Sequence, residues 1–201
     1  MDLQASVIIP TYNRRDRLRL LLDRLVLQLS PTLREVIVCD DGSSDGTRML
    51  VESYSDRLPL FYCWQPDLGF RVARARNRNM GIARATADVL IFLDDDCIIE
   101  DNFIESHVVI HQEDGISIGI GSRQRIKSLA YPTDYADVEE DSRSALETNS
   151  LSRHPHPWML VYSCNLSIPR KAPQAYFDEQ FEGWGERTST SDSAFGGPGD
   201  G

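Results

Sequence analysis

The chain has 201 residues, 41% hydrophobic and 26% charged, enough for one well-buried domain and with no compositional reason for two. A formal charge of −10 and a pI near 4.8 leave no phosphate-neutralising surface and exclude a general nucleic-acid binder. No apolar run nears the roughly 20 residues of a membrane span, no signal pattern opens the chain, and Cys39, Cys63, Cys97 and Cys164 lack Cys-x-x-Cys spacing. The expectation is a cytoplasmic α/β domain with reduced thiols, for which only peripheral membrane association stays open.

Ser6-Val7-Ile8-Ile9 reads as a buried strand stopped by Pro10, followed by a strand-to-helix turn in which Asn13 is the expected N-cap. From Arg14 to Leu29, the residues Leu18, Leu21, Leu22, Leu25, Val26 and Leu29 recur at three- and four-residue steps and predict a helix with one buried face. Ser30-Pro31 breaks it, and Glu35–Cys39 predicts a second buried strand running into Asp40-Asp41-Gly42-Ser43-Ser44-Asp45-Gly46-Thr47. A helix over Thr47–Tyr54 and a strand over Leu60–Trp64 complete a β-α-β-α-β succession. Such a succession implies right-handed crossovers, a mostly parallel sheet and a ligand crevice at the strands' carboxyl ends.

After Gly69, an Arg- and Ala-rich helix over Ala73–Ala85 leads to Asp88–Asp96. There Val89 to Leu93 form an unbroken apolar run, the mark of a central strand buried on both faces. It ends in Asp94, Asp95 and Asp96, whose mutual repulsion calls for compensation by water or a bound cation. Asp101–Gln112 predicts a helix and Ile116–Gly121 a strand. His107 and His111 have metal-ligand spacing, but no His-Glu-x-x-His pattern is completed and packing roles are expected. Lys127–Pro157 is polar, acidic and proline-punctuated, as in a long excursion over a site mouth, and it carries His154 and His156. Strand pattern returns over Trp158–Ile168, and Thr188–Gly201 is Ser/Thr/Gly-rich and expected to be flexible.

Three stretches now stand in order: Val7-Ile8-Ile9-Pro10-Thr11-Tyr12-Asn13-Arg14, Val38-Cys39-Asp40-Asp41-Gly42-Ser43-Ser44-Asp45-Gly46-Thr47 and Phe92-Leu93-Asp94-Asp95-Asp96. Together they resemble the nucleotide-sugar-binding half of family-2 glycosyltransferases of the GT-A fold. Ser163-Cys164-Asn165-Leu166-Ser167 and Phe177-Asp178-Glu179-x-Phe181-x-Gly183-Trp184-Gly185 resemble the acceptor-side half in the branch of bacterial chondroitin polymerases and animal β-galactosyltransferases. The resemblance implies an α/β, GT-A-like, Rossmann-related and mostly parallel sheet flanked by helices. It implies a single domain over residues 1–186, with a donor half over 1–100, an acceptor-side half over 101–186 and an altered or truncated tail over 187–201.

By this resemblance, Pro10, Thr11, Tyr12 and Arg14 line the base and ribose, and Asp41 accepts a hydrogen bond from a uracil imide. Asp94 and Asp96 hold Mn2+ or Mg2+ against the donor diphosphate, and the triplet, Asp95 included, touches the nucleotide sugar. Arg71, Arg76 and Arg78 neutralise phosphate charge. Their register has two solutions, Arg78-Asn79 counted back from Asp94 or Arg76-Asn77 counted forward from Gly69-Phe70-Arg71. Asn165 and Trp184 fall on the acceptor side, Trp184 either stacking on a sugar ring or packing. The branch places Glu-Asp one residue beyond Gly-Trp-Gly as the base; here Glu186, Arg187 and Thr188 follow Gly185, and Glu186 is the nearest carboxylate.

The implied activity is inverting, metal-dependent transfer from a nucleotide-sugar, UDP-linked for preference, to a hydroxyl of a saccharide or other acceptor. A nucleotide-sugar-binding module without turnover is the alternative left by the departure at Glu186. A nucleotidyltransferase ranks last, because Pro10-Thr11-Tyr12-Asn13 stands where a Gly-rich triphosphate loop would be.

Overall fold

The structure is a computed structural model that describes residues 2–67, 70–112, 118–121, 125–126, 138–139, 163–172 and 177. In chain order the elements are β1 (Ala5–Thr11), α1 (Arg15–Val26), β2 (Leu33–Asp40), α2 (Thr47–Glu52), β3 (Leu60–Trp64), α3 (Phe70–Arg84), β4 (Val89–Leu93), α4 (Phe103–Val109), β5 (Gly119–Ile120), β6 (Arg125–Ile126), β7 (Val138–Glu139) and β8 (Asn165–Pro169). Six strands form one sheet in the order β3-β2-β1-β4-β8-β5. The pairs β3/β2, β2/β1 and β1/β4 are parallel, and β8 runs antiparallel between β4 and β5. Strands β6 and β7 pair with each other. Trp158 to 162 and 116–117 lie outside the described residues, as does most of the predicted 127–157 excursion.

The uninterrupted apolar runs have their reason in this layering. On one face Val7, Ile9, Val36, Val38, Ile91 and Leu93 pack against Leu18, Leu21, Leu22 and Leu25 of α1, Val51 of α2 and Ile104 and Val108 of α4. The alternate residues Ile8, Ile37, Leu90 and Phe92 form a second core with Ala85, Leu166 and Ile168. Each fully buried leucine of the α1 stripe contributes about 1.5–3 kcal/mol. Helix α3 lies close over that second face because Gly81 has no side chain: a Cβ there would sit 2.3 Å from Ile8 Cγ2 and 3.1 Å from Cys39 Sγ.

Two sequence expectations are corrected. Asn13 does not cap α1; it adopts a left-handed φ of 50°, Arg14 occupies the cap position, and Asn13 Oδ1 instead accepts from the Ser44 N–H. The cap is supplied from across the crevice, by Asp45 Oδ2 accepting the Arg15 N–H at 2.8 Å. Leu29 does not extend the buried stripe: α1 stops at Val26, and Leu29 is 52% exposed.

The loop after β4 is tied to α1 and the turn that follows it, with Arg24 donating twice to Ile99 O and Gln28 Nε2 to Glu100 O. His107 and His111 are packing histidines. Their ring nitrogens lie 2.8 and 2.9 Å from Ser167 Oγ, and His107 Nε2 lies 2.8 Å from Asn165 Oδ1, linking α4 to β8. Burial lowers the pKa of both rings, which keeps them neutral.

Candidate active site

Parallel strands β1, β2 and β4 stop at one edge of the sheet, and each delivers polar residues there. The triplet after β4 alternates. Asp94 and Asp96 keep side chains 36% and 37% exposed, whereas Asp95 turns inward and is 4% exposed. Thr11 Oγ1 at the end of β1 donates to Asp95 Oδ2 at 2.7 Å, and Arg14 Nη1 lies 3.2 Å from Asp95 Oδ1 and 2.7 Å from Asp96 Oδ2. Arg17 Nη1 adds a 3.4 Å contact to Asp96, and Arg78 Nη2 reaches Asp94 Oδ1 at 2.6 Å. The compensation expected from a cation is thus supplied in this structure by three guanidiniums. Burial still pushes the Asp95 carboxyl up to about 6, and the neighbouring Asp96 and Asp94 add to the rise against Thr11 and Arg14.

Of the two registers for the basic helix, the one through Arg78 faces the triplet. Arg78 is 6% exposed, its Cζ lies 5.5 Å from the Phe177 ring, and its Nε is buried with no hydrogen-bond partner among the described residues. Asn79 pins Phe177 by exchanging hydrogen bonds with its backbone N–H and C=O. Arg76 is exposed. Arg84, at the far end of α3, covers the Phe61 ring at 3.7 Å and lies 3.9 Å from Glu35. The backbone of Arg71 falls in the first turn of α3.

At the end of β2, Asp40 accepts from the Ser43 N–H at 2.9 Å and from Tyr62 Oη at 2.5 Å, which commits it to the loop. Asp41 is 4% exposed, its N–H bonds Thr11 O, and its Oδ1 accepts from Gln65 Nε2 at 2.6 Å. Burial raises the Asp41 pKa, with Asp67 and Asp40 contributing, while Gln65 and Arg76 oppose the rise. Asp45 holds Thr47 N and Thr47 Oγ1 besides the Arg15 N–H, so its hydrogen bonds outweigh burial and lower its pKa. Tyr12, 44% exposed, donates to Asp67 Oδ2 at 2.7 Å. Gly42, at φ 83°, lets the β2 loop back onto Asp67, whose N would lie 2.4 Å from a Cβ.

The structure therefore brings Pro10, Thr11, Tyr12, Arg14, Asp41, Arg78 and Asp94–Asp96 to one edge. Asn165, opposite Leu93 in register, begins β8 beside them. Trp184 and Glu186 lie outside the described residues. Sequence reasoning missed Gln65 and Arg17. Gln65 is visible in hindsight as the first residue beyond the third strand's predicted end, where the crevice rule already pointed.

The donor set fits a small hard cation. Asp94 and Asp96 offer partly exposed carboxylate oxygens, and Mg2+ or Mn2+ held between protein and phosphate needs only one or two of these. Among the described residues no group of three or more His, Cys, Asp and Glu side chains is placed to grip an ion alone, so phosphate oxygens or water would complete the shell. Among them also, no helix is long and apolar enough to cross a membrane.

A parallel sheet with an antiparallel strand inserted beside its acidic edge is the layout of the GT-A nucleotide-sugar fold. The Glycosyl transferase family 2 profile matches residues 6–168, and the chain belongs to that family. It is 35% identical to validoxylamine A glucosyltransferase of Streptomyces hygroscopicus subsp. limoneus over 90% of this chain and 45% of that protein. It is 33% identical to chondroitin synthase of Pasteurella multocida (strain Pm70) over 62% of this chain and 13% of that one. The chain thus spans less than half the length of these curated relatives. Among solved structures, TarS 1–349 of S. aureus in complex with UDP-GlcNAc superposes with a TM-score of 0.51 at 28% identity, over 58% of this chain and 33% of that one.

Proposed function

We propose that the chain transfers a sugar from a UDP-linked donor to a hydroxyl of a saccharide or other acceptor, with inversion and with Mn2+ or Mg2+. The observation that carries this reading is the convergence of Asp41, Arg14, Arg78 and the alternating Asp94–Asp96 on one sheet edge. The 28% identity to a protein solved with UDP-GlcNAc favours uridine as the carrier. Asp41 takes the base imide, and Asp94 and Asp96 hold the cation, which supplies Lewis-acid stabilisation of the leaving nucleoside diphosphate.

Arg14 and Arg78 act as charge partners for phosphate, their present carboxylate contacts being the ones that phosphate oxygens take over. Arg78 Nε, a buried donor with no partner among the described residues, suits the same role. Thr11 and the Asp95 carboxylate act from behind, fixing the triplet's alternation. Glu186 is the proposed base for the acceptor hydroxyl, with Trp184 and Asn165 on the acceptor side.

A second reading, donor binding without turnover, rests on the Glu186-Arg187 sequence after Gly185. Calorimetric titration of UDP, GDP, CDP and dTDP with and without Mn2+, together with UDP release from UDP-sugars, separates the two. Metal-dependent UDP binding that Asp96→Asn loses, accompanied by UDP release, supports transfer. Binding without release supports the second reading, and equal UDP binding without metal overturns the role of Asp94 and Asp96.

A further inference from the structure

We infer that Gln65 and Asn77 form a relay that keeps Asp41 an acceptor-only carboxylate and thereby selects uracil over cytosine. The inference rests on the donor-site reading above and extends it to two positioning residues.

Three elements meet here: Asp41 follows β2, Gln65 follows β3 and Asn77 sits within α3. All three are buried, at 4%, 7% and 3% exposure. Gln65 Nε2 donates one hydrogen to Asp41 Oδ1 at 2.6 Å and the other to Asn77 Oδ1 at 2.8 Å. The Gln65 N–H bonds Asp40 O at 3.0 Å, which extends the β2/β3 ladder and fixes where the side chain starts.

The chemistry follows from the inventory of donors. An amide nitrogen has two hydrogens, and both are spoken for. Asn77, by presenting its oxygen, holds the Gln65 nitrogen towards Asp41. In that orientation Gln65 can only donate, and a donor at Asp41 favours the ionised carboxylate. An ionised Asp41 accepts from an imide N–H, which uracil has at N3. Cytosine presents a bare acceptor at N3 and would need a protonated Asp41. The charged and titratable groups around Asp41 are Asp40, Asp67, Arg76 and the Tyr12 phenol. The two acids push Asp41 towards protonation, along with burial, and Gln65 and Arg76 resist it. The relay therefore separates the two bases by setting one proton.

Calorimetric titration of UDP and CDP with Mn2+, from about pH 4 to pH 8, on the full chain and on Gln65→Met and Asn77→Leu tests this. The wild-type chain is expected to favour UDP over CDP by at least about 10-fold, one good hydrogen bond's worth. In Gln65→Met the acid limb of UDP binding moves up by about one pH unit, so that within that limb UDP affinity falls by up to about 10-fold and the UDP-to-CDP ratio falls with it, while both hold at pH 7. Asn77→Leu moves all three in the same direction by less, and serves should Gln65→Met lose its cooperative thermal transition. An unchanged pH profile and ratio in folded variants overturns the relay alone. An equal loss for both nucleotides at every pH also overturns it, because that is what a merely structural pair would do. A wild-type chain that binds no UDP overturns the donor-site reading and the relay with it.

Discussion

At the amino-terminal end of the sheet Glu35 is 3% exposed, and its Oε1 receives Ser6 Oγ, Thr86 N and Thr86 Oγ1 at 2.6 to 2.8 Å, with Arg84 3.9 Å from Oε2. At the carboxyl-terminal end Asp95 is equally buried, yet it has Thr11 and Arg14 as its donors and two carboxylates as its chain neighbours. Burial pushes both pKa values upward, but the donors decide the outcome. At Glu35 the bonds from Thr86 and Ser6 outweigh burial and the pKa is lowered; at Asp95 they do not, and it reaches about 6. The same residue class is thus saturated where it holds the fold and left undersupplied where it stands behind the two carboxylates that are proposed to hold a cation. Undersupplied charge of this kind is what a functional site carries at the expense of stability.

The largest effect expected from this contrast is a separation of binding from stability in Asp94→Asn. Calorimetry should show metal-dependent UDP affinity falling by at least about 100-fold, since a preorganised charge contact is lost. The urea midpoint of the same variant should change little, because relief of the repulsion from Asp95 and Asp96 offsets the lost charge opposite Arg78, whose hydrogen bond the Asn oxygen can still accept. A lowered midpoint with retained UDP affinity would make Asp94 a structural residue like Glu35.

Glu35→Ala is the converse. Losing the shared acceptor strands Ser6 Oγ and Thr86 N and should cost about 2–4 kcal/mol in denaturant unfolding, with UDP affinity per folded molecule unchanged. The pH dependence has a definite sign. The folded pKa of Glu35 lies below its ordinary value of 4.5, so its contribution is present above pH 4.5 and is lost as pH falls through the lower folded value. Wild-type stability should therefore fall across that acid range more steeply than that of Glu35→Gln, as read from urea midpoints at stepped pH.

Gly81→Ala asks whether the two ends communicate through α3, which carries Asn77 and Arg78 towards one end and Arg84 towards the other. A Cβ 2.3 Å from Ile8 Cγ2 forces the helix off the sheet, and the expected cost is about 1–3 kcal/mol in urea. If α3 also sets the site, UDP affinity falls together with stability. Unchanged affinity would mean that Arg78 and Asn77 hold their places through the crevice contacts alone.

How far these distinctions are legible in sequence depends on whether they are local. Strands β1, β2 and β4 could be read from their apolar runs because burial on both faces leaves no polar position to confuse the pattern. The acidic ends of β2 and β4 were visible because the crevice rule attaches a ligand edge to a parallel sheet. What could not be read was which partner each charge takes. Asp94 looked in need of a cation, and Arg78 sixteen positions earlier supplies one. Asn13 looked like a cap because it stands before a helix, yet the carboxylate that caps that helix is Asp45, thirty positions beyond the Arg15 N–H it accepts from. Glu35 gave no signal at all, being one acid at the start of a strand whose donors come from Ser6 and Thr86.

Asp45 supplies the smallest of the predicted effects and the one that limits the comparison. It lies at the carboxyl end of the sheet, in the same loop as Asp41, and by position alone it belongs with the site. Its partners say otherwise, since it closes the first turn of α1 through Arg15 N and the start of α2 through Thr47 N and Oγ1. Its pKa is accordingly lowered, as at Glu35. Asp45→Ala should cost about 1 kcal/mol in urea, the usual worth of a cap, and leave the pH profile of UDP binding untouched. Asp41→Ala should do the reverse, abolishing the UDP preference with a smaller change in midpoint. If Asp45→Ala instead shifts the UDP profile, position in the loop rather than donor supply decides which acid belongs to the site.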